Sequence, residues 1–195
     1  MAVVSRAKEV GWMRQNGGKP NPMGAPEVVK DVARAARHEA DEYRHGKDRP
    51  LAQYATIMGA NASILGGIVV AFRRSGRRMP RGVATGDILV TAVAVHRWAR
   101  LLAKDAVTSP LRAPFTRFDG PAAPAELKED VRGSGWRKAL GELVTCPFCL
   151  GHWVATGFAV GWLFAPRATR FFASMTTALA LADAMQFGYA KLEQL

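Results

Sequence analysis

Between Leu51 and Phe72 the chain runs for 22 residues without a formal charge. That is enough to cross a bilayer as a helix rising about 1.5 Å per residue. Gln53 and Asn61 interrupt the run, while Gly66-Gly67, Ala60, Ala62 and Ser63 suit close helix packing. Charges crowd instead into residues 1–50, 73–81 and 97–142, and what lies between is nearly uncharged. The chain is 49% apolar, yet its mean hydropathy is close to zero, because this partition averages away. A water-soluble core mixes apolar and charged residues more finely, so the pattern predicts a small polytopic membrane protein with polar tails.

Three further segments follow. Residues 83–103 hold the run Ile88 to Val95, but also Asp87, His96, Arg97 and Arg100. An ionised residue near mid-bilayer costs about 2.5–3.5 kcal/mol and less near a helix end. The segment is tolerable as a span if it faces protein. Residues 148–164 are short and aromatic, with Trp153, Phe158 and Trp162, and residues 171–190 are uncharged except for Asp183. Tight turns at 73–81 and 166–170 join the segments in pairs. The expected fold is all-α, a membrane domain over 47–195 with four transmembrane helices at 51–72, 83–103, 148–164 and 171–190.

The remaining regions are polar. Residues 1–26 lack an apolar core and are rich in Gly, Pro and Asn, so they read as a disordered tail without a cleavable signal. Over 27–46, Val28, Val32, Ala36, Ala40 and Tyr43 fall near one face of an amphipathic helix that Gly46 would stop. Residues 104–143 form the largest polar loop. Within it Pro110 and Pro114 break any long helix, Pro124 suits the first position of a short helix through Val131, and Ser134 suits the cap of another leading to the cysteines.

The net charge of +11 could serve nucleic acid, anionic lipid or membrane topology. Nucleic-acid binding calls for basic residues interleaved with aromatics on a soluble face, and no such module is present. Basic residues flanking apolar runs fit lipid headgroups and the positive-inside rule. On that reading Arg73, Arg74, Arg77, Arg78, Arg112 and Arg117 contact headgroups or a partner.

Alternation of the four segments across the bilayer brings Arg97, Arg100, Cys146, Cys149, His152 and Asp183 to one side, and Asp87 to the other. Asp183 must pair, protonate or face water, and Arg97 or Arg100 is its expected partner in a structural ion pair. For Cys146-Pro147-Phe148-Cys149, three readings stay open. The two thiols near a helix start could work as a redox pair, with His152 one turn on, and a quinone would then be the electron acceptor. Cys146, Cys149 and His152 could hold zinc, one ligand short of a closed site. Or the cysteines simply pack, being small and apolar. No cofactor is expected unless one of the first two holds. Ser-His-Asp order, a phosphate-cradling glycine loop and H-E-x-x-H are all missing from the sequence.

Three fragments come in fixed order: Arg97-x-x-Arg100-Leu101, then Lys104-Asp105-x-Val107-Thr108-x-Pro110-Leu111-Arg112-Ala113-Pro114-Phe115, then Thr145-Cys146-Pro147-Phe148-Cys149-Leu150-Gly151-x-Trp153. Together they resemble a family of small bacterial integral membrane proteins of unknown function, one member of which is named as a sporulation protein. The resemblance covers roughly residues 50–190. It implies a bacterial membrane location and a single compact domain, and it implies no activity. Where this chain has His152, the family pattern has an aromatic or aliphatic residue.

Orientation is pulled two ways. Five arginines over 73–81 with Arg167 and Arg170 mark one side as cytoplasmic, while Lys47, Arg49, Arg97, Arg100, Lys104 and Lys191 mark the other. A long charged N-terminal tail translocates poorly, which favours a cytoplasmic N-terminus and cytoplasmic cysteines. The expected function is non-enzymatic: a scaffold or accessory subunit in the membrane, meeting lipid and a protein partner or a second copy. The alternative is a membrane thiol–disulfide oxidoreductase working through Cys146 and Cys149.

Overall fold

The structure is a computed structural model that describes residues 25–77 and 82–193. The expected tail lies, up to residue 24, outside the described residues. The chain divides into two compact units, residues 1–48 and 49–195.

In the first unit, α1 covers Ala25–Arg44. It ends where His45 and Gly46 both turn left-handed, at φ 48° and 75°, a conformation that closes a helix and that Gly adopts without strain. Ion pairs Asp31–Arg34 (2.6 Å) and Asp41–Arg44 (3.0 Å) brace its polar surface one turn apart. Val28, Val32 and Tyr43 along its apolar stripe stay exposed.

The second unit holds α2 (Leu51–Arg74), α3 (Thr85–Lys104), a 3-10 turn (Ala106–Thr108), α4 (Ser109–Arg112), β1 (Thr116–Ala123), β2 (Glu126–Val131), α5 (Gly135–Thr145), α6 (Pro147–Phe164) and α7 (Pro166–Leu192). Pro147 and Pro166 open α6 and α7 at positions where a missing N–H costs nothing. Ala94 of α3, Phe158 of α6 and Ala173 of α7 form the buried core, with Val90, Trp98 and Trp162 packed on it. Two indole hydrogen bonds lock the three helices: Trp98 Nε1 donates to Thr176 Oγ1 and Trp162 Nε1 to Thr91 Oγ1, both at 3.2 Å.

Charge pairs give the helix directions. Arg170 near the start of α7 binds Asp87 near the start of α3, with Nε 2.8 Å from Oδ1, and Asp183 near the end of α7 meets Arg97 near the end of α3. The two helices therefore run parallel, with α6 antiparallel between their ends. Helix α2 runs alongside α6: Phe72 meets Phe164 edge-on at 5.9 Å, and Asn61 Nδ2 donates to Thr156 Oγ1 at 3.3 Å.

Two expectations need correction. Among the described residues only α2 and α6 are long and apolar enough to cross a membrane; α3 is diluted by Asp87, Arg97 and Arg100, and α7 by Asp183 and its Ala, Ser and Thr residues. Only 11% of the apolar window in each candidate span is buried, which distinguishes them from the core helices of a soluble protein. The other correction concerns residues 124–131. They form no helix but the turn and second strand of an antiparallel hairpin, with Thr116 opposite Val131 and Ala123 opposite Glu126. Ala125 turns at φ 64° and its carbonyl accepts from Ala106 N at 3.0 Å, so the turn is pinned to the end of α3. Beyond it Leu127, Glu129 and Val131 alternate inward against Lys128 and Asp130, the period of a half-buried strand. The register shifts twice, between Phe118 and Gly120 and between Pro121 and Ala123, so Asp119 and Ala122 stand out of the ladder on either side of Gly120-Pro121.

Candidate functional site at the charged end of the helices

The motif after α3 is organised by one side chain. Arg112 is fully buried. Its Nη1 donates to Leu102 O at 2.9 Å and Thr108 Oγ1 at 2.7 Å, its Nη2 to Asp105 O at 3.0 Å, and its Nε to Glu129 of β2. Leu102 and Asp105 belong to the carboxyl end of α3, where the last carbonyls have no partner within the helix. A planar guanidinium with five donors satisfies them together. Arg112 was expected to face headgroups; its burial overturns that, because α3's carbonyls and Glu129 consume its donors. Thr116 Oγ1 donates back to Arg112 O at 3.0 Å, tying β1 to the same knot.

A charged row runs outward from this knot. Arg97 Nη1 donates to Asp105 Oδ2 at 3.0 Å. Its Nε stands 2.7 Å from Asp183 Oδ2, but off the N–H axis, so the contact is an ion pair without a hydrogen bond. Arg100, the other expected partner of Asp183, instead directs Nε and Nη2 at Glu126 Oε1 across the hairpin turn. The row lines a half-open cavity of about 500 Å³ between α3, α7 and the turn at Pro124–Glu126. Its apolar wall is one face of α7, including Ala180, Ala184 and Phe187.

The cysteines stand elsewhere, at the start of α6. Both are free thiols, Cys146 half-buried and Cys149 exposed. Cys146 Sγ caps α6 by accepting from Cys149 N at 3.3 Å. His152 does not join them. Its Nε2 lies 2.9 Å from Asn61 Oδ1, and Thr156 Oγ1, which accepts from Asn61, donates to His152 O at 3.0 Å. The ligand atoms of Cys146, Cys149 and His152 do not converge within reach of one ion; among the described residues only His38, Glu39 and Glu42, exposed on α1, do so. The imidazole is held by α2 and stands apart from the two thiols.

The basic residues divide. Arg73, Arg74 and Arg117 are exposed. Arg77 Nη1 donates to Phe164 O at 2.8 Å and its guanidinium sits 5.8 Å from the Phe164 ring, capping α6. Arg78 lies outside the described residues. Near the start of α2, Glu142 of α5 accepts from Arg49 Nη1 at 3.3 Å and from the Tyr54 hydroxyl. Asp105, Glu126, Glu129 and Glu142 went unnoticed in the sequence as site residues. Glu126 and Glu129 were hidden by reading 124–131 as helical; strand alternation over 126–131 is the signal that exposes Glu129 as inward-facing.

A family described as proteins of unknown function, DUF1360, matches residues 90–189. The chain belongs to this family. The matched region takes in Arg97, Asp105, Arg112, Glu126, Glu129 and Asp183, so the knot and the charged row lie within the DUF1360 region while α1 and α2 precede it. The chain is also similar to the protein named sporulation protein YjcA of Bacillus subtilis (strain 168), 37% identical over 79 residues, which are 37% of this chain and 64% of that relative. The aligned part thus spans less than two thirds of the relative. No solved structure matches. The family is the one that the three ordered sequence fragments resemble.

Proposed function

We propose that this chain is a non-enzymatic, multi-pass membrane protein that acts as a scaffold or accessory subunit. Its apolar helices α2 and α6 cross the membrane with α3 and α7 packed beside them, and the hairpin and α5 stand at one membrane face as a platform for a protein partner. The observation that carries this is that the one acidic residue on each of the two less apolar helices stands beside an arginine of the other. Asp87 meets Arg170, and Asp183 stands 2.7 Å from Arg97, so each carboxylate has a cation beside it. About ten residues, near 15 Å of helix, separate Asp87 from Arg97. That is only half of the roughly 30 Å hydrocarbon core, so the two pairs do not both reach opposite headgroup layers and the deeper one depends on its partner. Outward-facing Ile88 and Leu89 on α3, and Phe171, Met175, Leu181 and Met185 on α7, are exposed; a bilayer would cover them as water cannot.

The platform is held by the Arg112–Glu129 knot, a fixed geometry suited to presenting a surface rather than to turnover. The N-terminus, the cysteines and the platform face the cytoplasm, with Arg117 exposed to headgroups or a partner there. Arg73 and Arg74 lie at the other end of the helices.

The test is fractionation of membranes carrying the full chain, followed by mild crosslinking. The chain should resist alkaline carbonate and co-purify with one fixed protein partner. Release by carbonate overturns the spanning reading, and recovery without any partner overturns the accessory role. Thiol–disulfide exchange is a second reading, favoured by the two unpaired thiols sharing the first turn of α6. Cys146→Ser would abolish such an activity and would leave a scaffold's partner binding intact.

A further inference from the structure

The cavity beside the charged row is locally negative. Two arginines, Arg97 and Arg100, face three carboxylates, Asp105, Glu126 and Asp183, one carboxylate more than the arginines can match singly. The excess falls on Asp183. Arg97 is shared between Asp105 and Asp183, and its hydrogen bond goes to Asp105. In a chain of net charge +11, a negative cavity is against the general trend and calls for an occupant.

Helix polarity works in the same direction. The carboxyl end of α7 reaches the cavity at Ala190 and carries roughly half a negative charge, whereas the end of α3 is already met by Arg112. Lys104 and Lys191, in those last turns, do not line the cavity.

The occupant is not a metal ion. The oxygens of Asp105, Glu126 and Asp183 are not gathered within reach of one ion. The volume, about 500 Å³, is that of an organic ligand, and the α7 wall of Ala180, Ala184 and Phe187 offers apolar contact. We infer that this cavity binds an organic ammonium with an apolar body, its cationic head at Asp183 and its body along α7. Such a group could come from an amine headgroup of the surrounding lipid or from a soluble amine. The inference stands whether or not the chain is a scaffold.

The experiment is calorimetric titration of the full chain in detergent with benzylammonium, against benzyl alcohol as the neutral isostere. Benzylammonium should bind at least about tenfold more tightly than the alcohol. Asp183→Asn should remove that preference and Asp183→Glu should restore part of it. Glu126→Gln, which lowers the same local charge from outside the helices, should weaken binding too, and Asp87→Asn at the far end should not. Equal binding of the two probes overturns the inference, as does an unchanged benzylammonium affinity in folded Asp183→Asn or Glu126→Gln protein. Native mass spectrometry with phosphatidylethanolamine and phosphatidylglycerol then separates the sources. Selective retention of the ethanolamine lipid supports a lipid headgroup, and no lipid preference beside benzylammonium binding supports a soluble amine.

Discussion

Arg112 and Glu129 form an ion pair almost wholly removed from water, their side chains 1% and 6% exposed. Burying two charges is costly, and here the cost is offset because the remaining guanidinium donors reach Leu102 O, Asp105 O and Thr108 Oγ1. The pair fixes the hairpin against the end of α3, and so positions Glu126 and Asp105 at the cavity.

Arg112→Leu should therefore destabilise the chain by about 3–5 kcal/mol, the usual range for stranding one buried charge. Arg112→Lys should recover little, since a single ammonium cannot span those acceptors. Denaturation in detergent, followed by circular dichroism, reads both. A loss under 1 kcal/mol for Arg112→Leu would show that the knot is not a structural anchor.

The α6–α7 hairpin depends on a missing side chain. A Cβ at Gly161 would lie 2.5 Å from Thr169 Oγ1 and 3.2 Å from its Cγ2, and Thr169 is itself buried. Gly161→Ala should cost about 1–3 kcal/mol, as overpacking does. Gly161→Ala combined with Thr169→Ala should recover much of it, because both obstructing atoms leave. Thermal unfolding of the single and double variants decides the matter; a double variant no better than the single one would place the obstruction elsewhere.

The helices were legible because apolar runs and charge positions are local signals. The 22-residue run from Leu51 becomes α2, and the isolated Asp183 announces a partner on α3. The knot was not legible. Arg112 carries the same letter as the exposed Arg117, and only the chain's return through Glu129, 17 residues on, buries one and not the other. The sequence signal for that return, alternation over 126–131, competes with Pro124 and a run of helix-tolerant residues, and pairing with β1 decides it. His152 misled in a similar way: spacing of three from Cys149 suggests a ligand, whereas Asn61, 91 residues earlier, claims the ring.

Lys128 and Asp119 pair across the hairpin at 2.5 Å. The hydrogen bond and the charge of Asp119 raise the Lys128 pKa above its usual 10.5. A lysine whose folded pKa is raised contributes stability below its unfolded pKa and loses it as pH climbs through the folded one. The hairpin should thus be unaffected by pH from neutral to about 10 and loosen in stronger alkali. Asp119→Asn should bring the Lys128 titration down toward 10.5. Proton–nitrogen NMR of the lysine ammonium checks both; an unmoved titration in Asp119→Asn would mean the pair does not form in solution.

Cys146 caps α6 through its sulfur, accepting the amide of Cys149, and this separates a structural from a chemical use of the thiol. Serine accepts the same hydrogen bond and is among the preferred caps, whereas alanine cannot, at a typical cost of about 1 kcal/mol. If the cap is all that Cys146 supplies, Cys146→Ser should match or exceed the native stability and keep partner binding, and Cys146→Ala should lose about 1 kcal/mol. Labelling then reads location. Cys149 is exposed and Cys146 half-buried, so a membrane-impermeant maleimide should modify Cys149 faster, and only after permeabilisation if the start of α6 faces the cytoplasm. Labelling in intact cells that requires prior reduction would instead reveal an external disulfide. It would reverse the orientation and bring the redox use of Cys146 and Cys149 to the front.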